Sequence, residues 1–455
     1  MKTINLISLI TFMTIVLISC QNNKQEITQI PEGLQHPEWS KNSTIYEVNI
    51  RQYTKEGTFA AFEKHIPRLH DMGVDILWLM PVNPIGKENR KGTLGSYYSI
   101  SDYTAVNPEF GTLEDLKSIV KTAHSLGMHV IIDWVANHTS WDNVWTKTHP
   151  EWFEKDSVTG KFSSPYDWTD VIELNFNNKE MRQAMVDAMK YWITETDIDG
   201  FRCDVAGMIP ADFWDDARQQ LDSVKPVFML AEAEEPVHHK KAFDMSYAWN
   251  LHHLMNDIAQ NKKSASDFFD FYAKEDSAFE KNDYRMLFTS NHDENSWNGT
   301  EFERMGEASN TFAVLSSTLP GMLLIYSGQE AALNKRLQFF EKDEILWDSL
   351  PLAGFYKNLT MLKKQNQALW NGNFGGDFQI ISSKENNDFF AFVRTKENNK
   401  VFVVCNLTKN EIDIKIDTKK INGKYVEYFS NKEQNIETSL NLKLKPWEYK
   451  VFISK

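Results

Sequence analysis

From about residue 44 the chain alternates short apolar runs with amphipathic stretches. Eight apolar runs read as strands, at 45–49, 74–80, 129–135, 200–205, 227–231, 244–248, 286–290 and 322–326. Several are near-continuous Val, Ile and Leu, the pattern of parallel strands buried on both faces. Between them the apolar positions switch to helical spacing. Thr112-Leu-Glu-Asp115 opens one helix with a capping box, and Gly127 closes it. Asn177-x-x-Glu180 opens another, whose Met181, Met185, Ala188, Met189 and Trp192 share one face and read as core. The stretches 212–221 and 310–319 fit the same role. Eight alternations of strand and helix over about 300 residues predict an α/β protein built on a (β/α)8 (TIM) barrel.

Two intervals depart from this rhythm. The third strand is followed by a segment rich in Trp, Thr, Ser and Asp, and an excursion over 139–175 is expected there. It leaves the C-terminal end of a barrel strand, where barrel enzymes build their sites. After about residue 366 the period changes to two, in runs such as FFAFVRT, KVFVVCNLT and IDIKIDT separated by Asn, Gly and Lys turns. Residues 367–455 therefore read as a separate all-β domain, and 41–366 as the barrel.

The N-terminus has a different character. Lys2 precedes an apolar run over 4–18 that is too short for a comfortable spanning helix. It ends Leu17-Ile18-Ser19-Cys20, which resembles a bacterial lipobox. That resemblance implies a signal peptide over 1–19 and a lipid on Cys20. A polar tether over 20–40 and attachment to the cell envelope, at the outer membrane, would follow. Whether the protein faces the periplasm or the medium stays open. No other membrane contact is expected.

Composition then narrows the function. With 42% hydrophobic and 25% charged residues, wholesale disorder is excluded. A net charge of −14 argues against nucleic acid as a partner, because it leaves no basic excess for phosphates. Cys203 and Cys405 lie in apolar runs and read as inert buried thiols, and no Cys/His zinc spacing is present.

The candidate chemistry sits at the strand ends. The third strand ends Asp133-Trp-Val-Ala-Asn137-His138, the fourth is Gly200-Phe-Arg202-Cys-Asp204, the fifth ends Leu230-Ala-Glu232, and the seventh ends Ser290-Asn291-His292-Asp293. Closing a barrel would bring these carboxylates, an Arg and two His to one mouth. Glycosidic cleavage needs such a set: one ionised carboxylate, one protonated carboxyl, and neighbours that keep them apart. Arg202, two residues from Asp204 on one strand, points to the same side and is expected to keep Asp204 ionised. Glu232 follows the apolar run VFML, so partial burial is expected to raise it toward a general acid.

These segments resemble the α-amylase family of retaining glycoside hydrolases. The resemblance covers roughly 44–455 and includes Tyr98-x-x-x-Asp102-Tyr103, Ile172-Glu-Leu-Asn175 and Gly328-Gln-Glu330. By that resemblance Asp204 is the nucleophile, Glu232 the general acid/base and Asp293 the transition-state stabiliser. Arg202 orients Asp204, His138 and His292 bind sugar hydroxyls, and Tyr98 stacks on the sugar. Asn137 matches a position that binds calcium in many members, and Glu173 stands where their Asp ligand stands. A structural calcium is therefore implied there, and no cofactor is required for the chemistry.

Departures bear on specificity. Gly207 and Met208 stand in the loop where typical secreted members carry a Lys-His pair. Val205 follows the nucleophile where many have Ala, a feature of members acting on α-1,6 bonds or short oligosaccharides. The leading expectation is a retaining hydrolase of α-glucans or malto-oligosaccharides. Alternatives are an α-glucan transglycosylase, an α-1,6-acting oligosaccharide glucosidase, and a non-catalytic glycan-binding lipoprotein. The oligomeric state stays open.

Overall fold

Eight strands close on themselves in chain order. They are Ile45–Val48, Ile76–Leu79, His129–Trp134, Gly200–Cys203, Phe228–Ala231, Met245–Tyr247, Tyr284–Leu287 and Met322–Tyr326. All pairs are parallel, and the first strand bonds both the second and the eighth. The protein is seen here as a computed structural model that describes residues 34–455, which form a single unit. Cys20 and the expected signal peptide lie outside the described residues. Among the described residues no helix is long and apolar enough to cross a membrane.

The two-residue period of the strands divides their side chains. Ile45, Trp78, Ile131, Leu230, Tyr247 and Met286 point inward and make the barrel's own core. Tyr46, Leu77, Val130, Phe201 and Met229 point outward into the layer between strands and helices. By the same parity Glu47, Asp133, Arg202 and Glu232 lie on the inward side, at the end where each strand runs out.

Most helices follow from local chemistry. Thr112 and Asp115 form the reciprocal capping box of helix Leu113–Ser125. The helix Lys179–Thr196 is capped by Asn178, whose side chain accepts from the Glu180 and Met181 N–H groups, one residue later than the motif suggested. One expected helix is missing. Between the fifth and sixth strands there is only the 3-10 turn Pro236–Lys240, so the alternation is interrupted there. The connection is too short for a crossing helix, and two helices, Trp249–Ala259 and Asp267–Ala278, follow the sixth strand instead. The excursion after the third strand is small: the strands His138–Ser140 and Val171–Glu173 pair antiparallel around a loop.

The C-terminal residues form a six-stranded antiparallel sheet faced by a two-stranded one. Phe389, Ala391 and Val393 point between the two sheets, while Phe390 and Phe392 point to the barrel side. The Phe390 ring stacks on Phe268 with centroids 4.2 Å apart. Cys203 and Cys405 are free and buried.

The tether expected over 20–40 ends earlier than the sequence implied. Residues 34–40 pack on the barrel's N-terminal end. His36 bonds Asp244 at 2.8 Å and the Asn282 carbonyl at 2.9 Å. Trp39 stacks on His129 at 3.8 Å and contacts Phe228. A polar, Pro-containing segment reads as a linker, but two rings and a buried carboxylate hold it. Trp39→Ala should therefore cost about 2 kcal/mol, less than for a fully buried Trp. A urea titration within about 0.5 kcal/mol of the parent would refute this packing role.

Candidate active site

The site is organised by a guanidinium that water does not reach. Arg202 has 0% exposure, at the end of the fourth strand. Its Nη1 donates to Asp133 Oδ1 and to Asp204 Oδ1, each at 3.0 Å. Its Nη2 lies 2.9 Å from Glu232 Oε2, an ion pair without hydrogen-bond alignment. Its Nε donates to the Tyr247 hydroxyl at 3.1 Å. Trp78, Tyr247 and Tyr98 surround it with ring centroids 5.1, 5.5 and 5.8 Å from Cζ, within cation–π range. The third, fourth and fifth strands thus present one carboxylate each to a single cation.

Backbone contacts fix the two reactive candidates. The Asp204 N–H donates to the Trp134 carbonyl, and the Glu232 N–H to the Cys203 carbonyl, so each is anchored to the preceding barrel strand. Val205 turns with φ 39° and ψ 43°, a conformation costly for a β-branched residue. In that turn its N–H donates to Glu232 Oε2 at 2.8 Å.

A second chain of contacts starts on the first strand. Glu47, fully buried, accepts from His292 Nδ1. His292 Nε2 lies 2.8 Å from the Tyr98 hydroxyl and 3.3 Å from Asp293 Oδ2. The Tyr98 hydroxyl donates to Asp133 Oδ2 at 3.0 Å, which closes the chain back to Arg202. His138 Nε2 faces Asp204 Oδ2 at 3.9 Å.

Charge states follow from this crowding. Burial pulls the His292 imidazole down, but the Asp293 and Glu47 carboxylates outweigh it and hold it up to about 9. At His138 burial dominates and pushes the imidazole down to about 3, so it is neutral. Burial raises the Asp204 carboxyl well above an ordinary Asp. Arg202 opposes this, and Glu232, Asp133 and Asp293 add to it. Arg202 does lower the Asp204 carboxyl, as the sequence led one to expect, but burial and the neighbouring carboxylates outweigh it. Burial likewise raises Glu47, Asp133 and Asp293. A buried set with more carboxyls than cations is raised as a group.

Tyr98, His138, Asp204, Glu232, His292 and Asp293 line one cavity of about 500 Å³. Asn137 and Glu173 lie outside it. The Asn137 amide donates to His138 Nδ1 at 3.3 Å, and burial with the nearby Glu154 raises the Glu173 carboxyl. Calcium takes six to eight oxygen ligands. Among the described residues no group of three His, Cys, Asp or Glu side chains converges on this pair.

Some site residues escaped the sequence reading. Glu47 carried a signal, a charge inside the apolar run IYEV. Asp133, in HVIIDW, was placed at the mouth by the sequence but without its role as a partner of Arg202. Trp168, Phe339 and Lys91 also line the cavity but sit on loops without a pattern, and Trp297 lies in the short helical turn Glu294–Asn298. Glu330 has a different place: fully buried, it accepts from Tyr46 at 2.6 Å and Arg68 at 2.9 Å behind the first strand. A second cavity, about 420 Å³, lies between the barrel flank and the C-terminal domain and contains none of the strand-end residues singled out above.

Comparison with known proteins agrees with this architecture. The family description "Alpha amylase, catalytic domain" matches residues 38–157 and 150–361, and "Alpha-amylase SusG C-terminal domain" matches 389–449. A maltogenic alpha-amylase, AmyB, from Thermotoga neapolitana superimposes with a TM-score of 0.84 at 30% identity, over 91% of this chain and 99% of its own. An alpha-amylase from Lactobacillus plantarum gives 0.81 at 30% identity, over 92% and 100%. "Alpha-amylase MalA" of Haloarcula japonica is 26% identical over 81% of this chain, which spans 56% of that relative's length. With the catalytic-domain match running through all eight barrel strands and their carboxylate-bearing ends, the chain belongs to the α-amylase family.

Proposed function

We propose that the protein hydrolyses α-glucosidic bonds in starch-like α-glucans or malto-oligosaccharides, with retention at the anomeric carbon. The observation that carries this reading is Arg202, which seats Asp204 and Glu232 on its two terminal nitrogens. Two carboxyls on one planar cation are close neighbours, in keeping with the ~5–5.5 Å spacing of retaining enzymes.

In this reading Asp204 attacks the anomeric carbon while Glu232 protonates the departing glycosidic oxygen. A glycosyl ester on Asp204 results. Glu232, now ionised, takes a proton from water, and that water cleaves the ester. The Val205 N–H donates to Glu232 Oε2 and holds that carboxyl in place beside Asp204. His292, held charged, and neutral His138 donate to hydroxyls of the sugar, Asp293 accepts from them, and the Tyr98 ring packs on the sugar face. On the same footing we propose a lipid anchor at Cys20 and an envelope location, supported by the Leu17-Ile18-Ser19-Cys20 run.

Asp204→Asn is nearly isosteric and should lower kcat on maltotriose by more than about 10³-fold with the fold intact by circular dichroism. A loss under about tenfold would place the nucleophile elsewhere. Glu232→Gln should slow unactivated maltosides most and an aryl α-maltoside with a good leaving group least in the first step. The ester on Asp204 should then accumulate and appear in the intact-protein mass spectrum. Equal slowing of both substrates without an adduct would exclude Glu232 as the acid/base.

The pH profile has a defined sign. Asp204 must be ionised to attack, and its raised carboxyl means activity falls as pH drops through a value above that of a free Asp, about 3.9. The acid limb of kcat/KM should therefore lie above about 4, whereas a limb at or below 3.9 would contradict the crowded-carboxylate account.

A further inference from the structure

The cleft is walled on one side. Residues 81–112 join the second strand to helix Leu113–Ser125 and carry Tyr98. Toward the excursion, the Lys87 N–H donates to the Asp142 carboxylate at 2.9 Å, and Lys91 Nζ lies 3.1 Å from Asp170 Oδ1. Toward the loop after the eighth strand, the Thr93 N–H donates to Glu341 Oε1 at 3.0 Å and the Leu94 N–H to the Phe340 carbonyl at 3.1 Å. Two glycines permit these approaches. A Cβ on Gly86 would sit 2.1 Å from Ser140 Cβ, and one on Gly92, at φ +64°, would sit 2.4 Å from Phe340 Cβ. Lys91, Asp170, Phe339 and Phe340 all face the cavity. The connection thus forms a continuous barrier from the excursion to the eighth-strand loop.

Chemistry decides which end of a glucan meets the barrier. The nucleophile bonds the anomeric carbon of the retained sugar, and the acid protonates the oxygen that leaves. The departing chain therefore lies on the Glu232 side. There the turn Ala206–Met208 ends in an exposed Met208, beside an exposed Glu235. The retained, non-reducing part lies on the opposite side, against Tyr98, His292 and the barrier behind them. The rings of Tyr98 and Phe339 are stacked 6.2 Å apart, so no open trough continues between them.

We propose that this barrier, latched by the Lys91–Asp170 ion pair, closes the non-reducing end of the cleft, so that the enzyme is exo-acting and takes short units from the non-reducing ends of α-glucan chains. This rests on the hydrolase reading above and adds the direction from which substrate enters.

Two 4-nitrophenyl maltoheptaosides test it, one with free terminal hydroxyls and one whose non-reducing 4,6-hydroxyls carry an ethylidene group. With the full enzyme the free substrate should be cleaved at least about 100-fold faster than the blocked one. Equal rates would overturn exo action while leaving hydrolysis intact. Cleavage of neither would overturn the hydrolase reading itself, and this proposal with it. Lys91→Ala and Asp170→Ala should each narrow the free-to-blocked ratio by about tenfold. A ratio unchanged in both, in variants that melt as the parent does, would overturn the role of the latch.

Discussion

A charge buried without water is expensive, and a lone guanidinium inside a barrel would shift or unfold its surroundings. Arg202 is tolerated because its neighbours are all in place at once. Carboxylates come from the third, fourth and fifth strands, a phenol and a ring from the sixth, and a second ring from the second. Removing the cation would leave three carboxylates facing one another. Removing any carboxylate would leave the cation short of a partner. The site and the closed barrel are therefore one structural problem with one solution.

The same crowding sets the chemistry. Glu47, Asp133, Asp204, Glu232 and Asp293 share Arg202 and His292 as their only close cations in this network. Burial and this imbalance raise the Glu47, Asp133, Asp204 and Asp293 carboxyls above their ordinary range. His292, locked between Glu47 and Asp293, and His138, where burial dominates, show how two chemically identical rings take opposite charge states in the same cavity.

Loops divide the work differently. The strand ends are held by barrel hydrogen bonds and allow little variation. The connection that carries Tyr98 is held by side chains and two close-packed glycines at its flanks. Chemistry thus depends on the scaffold, and the choice of substrate end on contacts between loops. The turn after Asp204, where Gly207 and Met208 stand, lies on the opposite side, with Met208 exposed.

Much of this was legible in the chain. The two-residue alternation along each strand already sorts Ile45, Asp133, Arg202 and Leu230 inward, because parity on a strand is local geometry. The capping boxes, the Met stripe on Lys179–Thr196 and the change of period after residue 366 are local as well. What local pattern cannot contain is distance between strands. That Arg202 would be divided among three carboxylates, and be outweighed at Asp204 by burial, required the barrel to close. Residues 34–40 read as a tether because their polar composition hides the partners, Asp244 and His129, that lie far along the chain. The missing fifth helix, and the barrier joining residues 81–112 to two other loops, depend on neighbours separated by up to some 250 residues. The sequence by itself determined which side of each strand every functional group occupies. Only the tertiary structure decided what each group faces, because burial and charge sharing are properties of the assembled barrel and not of any segment within it.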